Sequence, residues 1–328
     1  MAKYFAKRVL YMIFVFCILS VLLFFLFNMI PGDPVAMELQ AIKETITPEQ
    51  YQQRYTQLRS QMGLDDPLII RYFRWFANMI RGDFGTSHVY KQPVADVVKV
   101  PLRNTIFINL FVVAICLAIT IPLGIFCAVR KNSLFDKFVQ VFTIIGYSLP
   151  KFIIALLAIY FFAVKNNWFP VSGMNTPGFQ GTGMELFKDT MYHLFLPIMV
   201  IVIGSLGGIT RYVRAAMIDA LSMDYIKTAR AKGLKEKVVI FSHAWRNALL
   251  PVITLIISWF MSIFSGSLIT ERMFNLHGMG KFYMDALNRQ DFNVAIAIQM
   301  FYIIIALLGN LITDLSYGVV DPRVRVNS

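Results

Sequence analysis

Cysteine and charge are both scarce in this sequence. Its 328 residues include three Cys (Cys17, Cys116 and Cys127) with no paired spacing, which excludes a disulfide-stapled module and a Cys-based metal motif. All three fall inside apolar runs and read as small packing residues. Charged residues amount to 15%, where soluble domains carry about a quarter, and this argues against a soluble enzyme. No Gly-x-Ser-x-Gly, His-Glu-x-x-His or Cys-x-x-Cys string occurs, so neither a nucleophile nor a metal site is expected. The four His (His88, His193, His243 and His277) are too scattered for a local metal motif; His193 either lines a pathway or, the favoured reading, is an interfacial residue satisfied by a neighbouring carbonyl.

Apolar residues are abundant instead. They make up 57% of the chain, with 29 Phe and 17 Met, and the mean hydropathy is +0.60. A bilayer core of about 30 Å needs about 20 apolar residues in a helix. Six runs answer to this: Val9 to Ile30, Thr105 to Val129, Phe138 to Val164, Leu194 to Ile209, Leu249 to Ile269 and Val294 to Leu315. The fourth is interrupted by Pro197, Gly204, Gly207 and Gly208, which membrane helices tolerate, and reaches full length at Val213. The first follows Lys3, Lys7 and Arg8, but its 22 residues exceed the roughly 7–15 of a signal-peptide core, and it is expected to be a retained anchor. The expected fold class is therefore an all-α integral membrane protein with six transmembrane helices.

Charge sets the expected orientation. With the N-terminus in the cytoplasm, six spans return the C-terminus there. The inside segments then hold sixteen basic residues against five acidic ones, whereas the outside segment 31–100 has eight of each. The net charge of +12 is thus almost wholly cytoplasmic, as the positive-inside rule requires, and its first meaning is topology rather than nucleic-acid binding.

The expected domains are a cytoplasmic N-terminus with the first anchor (1–30), an extracellular insert (31–103), a five-span core (104–318) and a cytoplasmic tail (319–328). In the insert, Thr47-Pro48-Glu49-Gln50 is a capping box that predicts a helix from Pro48 to about Gln61, stopped by Gly63. Asp66-Pro67 repeats the start signal, and Ile69, Ile70, Phe73, Phe76 and Ile80 predict a second helix reaching Gly82. It either lies at the membrane interface or packs on the span ends. Segment 165–192, rich in Pro and Gly, reads as a loop.

The core includes a cytoplasmic loop, 214–248. Asp224 to Gly233 reads as a short helix closed by Gly, and Lys235 to Asn247 as a second, amphipathic one with Val238, Val239, Phe241 and Trp245 apolar; Pro251 then opens the fifth span. Ala229 and Ala231 keep the surface low, and Gly233 allows close approach of another backbone. The result is a compact knob suited to a partner's cleft, or else an ordinary positive-inside loop.

Thr228-Ala-Arg-Ala-Lys-Gly233 and Arg246-Asn-Ala-Leu-Leu-Pro251 resemble the coupling loop of bacterial ABC importer permeases, most closely the B-type subunit of the oligopeptide, dipeptide and nickel branch. Pro31-Gly-Asp-Pro34, Met62-Gly-Leu-Asp-Asp-Pro67, Gly82-Asp-Phe-Gly85 with Ser87, Ser148-Leu-Pro-Lys-Phe152, Leu287-Asn-Arg289 and Asp321-Pro-Arg323 extend the resemblance over nearly the whole chain. Where the generic loop opens with Glu-Ala-Ala, this chain has Lys227-Thr228-Ala229, a basic opening common in this branch.

The resemblance implies a type I importer permease fold in the bacterial plasma membrane. It implies a second, C-type permease as partner, two cytoplasmic ABC ATPases, and an extracellular binding protein or lipoprotein that delivers the peptide. Lys227, Thr228, Ala229, Arg230, Ala231, Lys232, Gly233 and Leu234 would couple to the ATPase, and ATP and magnesium would bind only to the ATPases. Import of a nickel chelate is the alternative within the branch.

The residues agree that fuel must come from elsewhere. The nearest string to a phosphate-binding loop, Gly278-Met-Gly-Lys281, is followed by Phe282 and falls on the outside. Polar groups within spans mark a candidate path. Gln299, Tyr302, Ala306, Asn310 and Thr313 share one face of the sixth span; Ser148 and Pro150 stand where the third is expected to kink. The other reading of that face is helix packing without substrate contact. Ser258, Ser262 and Gly266 form a small-residue ladder on the fifth span, expected to serve packing. An ion-gradient transporter, the reading from a different class, would show internal repeats and intramembrane carboxylates. No repeat is visible, and Asp314 is taken as the one acid within or bordering a span.

Overall fold

The computed structural model describes residues 2–30 and 32–320; Pro31 and the Asp321-Pro-Arg323 string of the tail lie outside them. The described residues contain helices and loops, with an isolated bridge between Thr86 and Pro93. In chain order the helices used below are α1 (Ala2–Met29), α2 (Pro34–Leu39), α3 (Pro48–Gln61), α4 (Leu68–Ile80), α5 (Lys99–Val129), α6 (Leu134–Ser148) and α7 (Lys151–Lys165). They continue with α8 (Met184–Ser222), α9 (Asp224–Ala231), α10 (Glu236–Ser262), α11 (Leu268–Met273), α12 (Met279–Asn288) and α13 (Phe292–Val320).

Among the described residues five helical stretches, α1, α5 with its lead-in, α8, α10 and α13, are each long and apolar enough to cross a membrane, and α6 with α7 makes a sixth if the bent pair is one span. The kink expected at Pro150 is in fact a break. Helix α6 stops at Ser148, Leu149 turns extended, and α7 restarts at Lys151 with a bend of 100°. Pro150 lacks the N–H that a continuous helix needs and pushes Leu149 out of helical geometry.

Two compact units divide the chain: residues 102–281 with 308–320, and residues 2–101 with 282–307. The first is organised around α8, which packs against α6, α7 and α10. Its core joins Leu194, Ile198 and Val202 of α8 to Ile108 and Cys116 of α5 and Ala155 of α7. Glycines set the closest approach. A Cβ on Gly207 of α8 would stand 2.4 Å from the carbonyl oxygen of Thr143 on α6, and one on Gly146 would stand 3.0 Å from that of Ile203. The glycines that interrupt the fourth apolar run thus include one at a helix contact.

The other unit contains α1 and the insert. Helix α3 begins and ends as its sequence predicts: Thr47 and Gln50 cap each other reciprocally, and Gly63 (φ +63°) closes the C-terminus, with the Leu64 N–H donating to the Arg59 carbonyl. Helix α4 runs along α1. Tyr72 shares a hydrogen bond of 2.9 Å with Ser20 and stacks edge-on to Phe24, and Phe76 meets Phe16. Arg71 donates to Asn28, so the contacts span about 18 Å of α1. Ile69, Phe73 and Ile80 remain exposed on the far side of α4. Asp33 of the Pro-Gly-Asp-Pro string caps α2, accepting from the N–H groups of Val35 and Ala36.

Candidate functional site

The sequence singled out for coupling forms α9, which follows directly on α8. Met223 is extended between them, and α9 runs for eight residues. Lys232 is the C-cap and Gly233 takes φ +75°. The Leu234 N–H donates to the Ala229 carbonyl and the Gly233 N–H to that of Arg230, a Schellman closure. A Cβ on Gly233 would meet nothing within 4 Å. Its glycine is therefore explained by the left-handed backbone and not, as expected, by close approach of another chain segment.

Ala229 also differs from expectation. It is buried, with Ile226, against Met217 and Ala220 of α8 and Val239 and Ala244 of α10. Lys227, Thr228, Arg230, Ala231, Lys232, Gly233 and Leu234 face outward. Lys227 reaches Asp224 at 2.8 Å, and Arg230 forms a fork onto Glu236, closing the turn between α9 and α10. Both pairs are exposed and contribute little to stability. Met223, Tyr225, Leu234, Val238 and Phe241 are exposed among them. The outward surface is thus basic with apolar patches, and rigidly backed.

No separate second helix follows. Helix α10 continues unbroken from Glu236 to Ser262, passing through a π-helical stretch at Val239–Trp245 and carrying Pro251 inside it. The apolar positions expected together are divided: Val239 is buried, whereas Val238 and Phe241 are exposed. Because α10 ends at Ser262, Gly266 lies beyond it, and the expected ladder with Ser258 is not a helix face. Gly266 instead approaches Gly280, whose N would lie 2.1 Å from an added Cβ.

A carboxylate braces the same end of the unit. Asp136, in the first turn of α6, is fully buried and accepts two hydrogen bonds of 2.7 Å from the Arg214 guanidinium of α8. It also accepts from the Asn132 N–H and the Gln140 amide, so both oxygens are satisfied. Asp314 is thus not the lone acid at a span boundary.

Of the candidate path residues, Ser148 and Pro150 come together at the α6–α7 break and both are exposed. Gln299 and Tyr302 are half-buried and Asn310 exposed, on one stripe of α13 with the exposed Ala306. His193 is buried; its Nε2 lies 3.2 Å from the Thr176 hydroxyl, and the partner is that side chain instead of the expected carbonyl. Thr176 in turn donates to Asp189, which fastens loop 166–183 to α8.

Two clusters escaped sequence reasoning. The Gly278-Met-Gly-Lys281 string wraps Glu271 of α11, which accepts from the N–H groups of Lys281 at 2.7 Å and Ser267 at 3.1 Å and from the Thr105 hydroxyl at 3.3 Å. Burial pushes the Glu271 carboxyl above the usual glutamate range, against the pull of those donors and of the Gly280 N–H. In the other unit, Asp291 is buried and accepts from Ser87, tying the Gly82–Ser87 string to the residues after Leu287-Asn-Arg289. Their separation of 204 residues hid this from any local motif.

The family of binding-protein-dependent transport system inner membrane components matches residues 120–326, and its N-terminal counterpart matches residues 1–108. The chain belongs to this family. It is similar to the oligopeptide transport system permease protein AppB of Bacillus subtilis, 37% identical over 99% of this chain and 100% of that one. The dipeptide transport system permease protein DppB of the same organism is 32% identical over 100% of this chain and 99% of its own. The glutathione transport system permease protein GsiC of Escherichia coli is 31% identical, with 99% of each covered. This permease subunit of an ABC importer is accordingly a multi-pass inner-membrane protein and a non-catalytic component that works with ATPase and binding-protein partners. Membership removes the ion-gradient alternative.

Proposed function

We propose that this chain is one half of a heterodimeric importer core that passes short peptides across the bacterial plasma membrane by alternating access. Its partners in this reading are a second, C-type permease, two ABC ATPases that bind ATP and magnesium, and an extracellular binding protein or lipoprotein. Full-length relatives named for oligopeptide, dipeptide and glutathione transport support the peptide class. The concentration of basic residues on one side supports cytoplasmic termini.

The observation that carries the coupling role is the outward surface of α9, with Lys227, Lys232 and Leu234 exposed above a fully packed base of Ile226 and Ala229. A rigid basic and apolar knob transmits displacement where a flexible loop would absorb it. Ligand affinity that differs between outward- and inward-facing states then biases the cycle. Gln299, Tyr302 and Asn310 on α13 and Ser148 and Pro150 at the α6–α7 break are the residues proposed to line the path.

Leu234→Asp tests the coupling role. In proteoliposomes with the complete set of subunits, peptide uptake is expected to fall at least about tenfold, the consequence of desolvating a charge in an apolar contact. Basal ATP hydrolysis is expected to persist. Unchanged uptake per ATP hydrolysed would overturn the assignment of this surface.

A further inference from the structure

The unit built from α1, the insert and residues 282–307 contains a cavity of about 510 Å³. That is within the usual range for small-ligand sites, roughly 300–1,000 Å³. Rings of Phe24, Trp75, Phe84 and Phe292 form much of its wall. The carboxamides of Asn28, Asn78 and Asn293 stand in the wall; Asn28 already donates to the Phe24 carbonyl and Asn293 to that of Thr86, which leaves each a second N–H, and Arg71, Arg74 and Asp83 supply charge of both signs.

Arg71 is the informative member. Arg74 is paired with Asp66 at 2.7 Å, but the half-buried Arg71 makes its hydrogen bond to a neutral group, the Asn28 carbonyl at 2.7 Å. No carboxylate lies within ion-pair distance of it among the described residues. Burial, with the nearby charge of Arg59, lowers its pKa, yet a guanidinium stays protonated at any physiological pH. A permanently charged fork beside an open cavity is matched by a carboxylate.

The direction of the cavity decides which carboxylate. At about 3.6 residues per turn, Arg71, Arg74, Trp75 and Asn78 share one side of α4, and the exposed Ile69, Phe73 and Ile80 stand on the opposite side. The exposed apolar stripe and the cavity wall are thus separate faces of α4, and the cavity is built from its polar face. Its mixture of amides and both charges suits a peptide better than a lipid phosphate. We propose that this cavity binds a short peptide, with Arg71 holding the C-terminal carboxylate and the three Asn side chains meeting the peptide backbone. The site rests on the peptide-import reading and adds a holding point within the permease itself.

The test uses the chain with its partner permease and ATPases in nanodiscs, without binding protein. Radiolabelled tri-alanine is expected to bind about 10–100-fold more tightly than tri-alanine amide, the worth of one charge-assisted pair. Arg71→Gln is expected to bring tri-alanine down to the level of the amide, and Arg71→Lys to retain most of the difference. Asn78→Asp, which adds a negative charge to the same wall, is expected to weaken the acid more than the amide. Equal binding of acid and amide, or no binding to the unmodified complex, would overturn the proposal. So would a phospholipid, detected by native mass spectrometry, that Arg71→Gln releases while peptide binding stays unchanged. ATP-driven uptake with the binding protein in proteoliposomes separates the two readings. Uptake that persists while acid and amide bind alike removes the cavity site alone, whereas absence of peptide uptake removes both.

Discussion

Three glycines leave the Glu271 carboxylate little space and little water. A Cβ on Gly278 would lie 2.4 Å from its Oε1, and Cβ atoms on Gly266 and Gly280 would lie 3.0 and 3.1 Å from its two oxygens. Four donors partly offset the loss of solvent, and the net effect raises the carboxyl's pKa in the folded chain. The folded state then holds this proton more tightly than the unfolded state does. Its stability is fullest at low pH and declines as pH rises from the ordinary glutamate value, about 4.3, through the raised one. Thermal unfolding followed from about pH 4 to pH 8 is expected to show this decline in the unmodified protein and not in Glu271→Gln. Identical pH profiles would assign the titration to another group. Asp136 is a different case at the same scale, a buried carboxylate with a bidentate cation in place of glycines. Pairs of that kind are costly to break from one side, because the remaining charge stays buried.

At the scale of helices, Gly207 and Gly208 are adjacent in sequence and opposite in consequence. Gly207 faces the Thr143 carbonyl on α6, whereas a Cβ on Gly208 meets nothing within 4 Å. Gly207→Val is expected to destabilise the protein by about 1–3 kcal/mol through overpacking, and Gly208→Val to leave the α6–α8 contact intact. Thermal melts of the two variants in detergent would check the contrast, and equal losses would contradict the packing described. Capping was legible beforehand because it is local: Thr47 with Gln50 and Gly63 define both ends of α3 within a few residues of themselves. The unbroken α10 was not. Pro251 reads as a helix start, but a membrane helix tolerates an internal proline, and α10 runs through it as α5 and α8 run through Pro122 and Pro197. The Glu271 cradle was hidden for another reason, since its Thr105 donor is 166 residues away.

At the scale of the molecule, hydropathy was enough for the class and the approximate number of spans, because a bilayer imposes length on any helix that crosses it. The candidate path was only partly legible. Periodicity puts Gln299, Tyr302 and Asn310 on one stripe of α13, and Pro150 announced a kink in the third apolar run but not a bend of 100°. Orientation is a property of the whole chain and can be tested as one. Lys232→Cys is expected to react with a membrane-impermeant maleimide in inside-out vesicles stripped of the ATPases and to resist it in intact cells, once the outer envelope has been permeabilised. The reverse pattern would invert the topology and detach α9 from any cytoplasmic partner.

Helix α8 has 39 residues, so it is about 58 Å long, nearly twice the thickness of a hydrocarbon core. In the coupling role proposed above, such a rod is a lever that pivots near its middle. A tilt of about 10° about its midpoint swings either end by about 5 Å, close to one turn of helix. With α9 joined to one tip and loop 166–183 fastened near the other by Asp189, a displacement of one helical pitch at α9 corresponds, in that role, to an equal sweep at the loop.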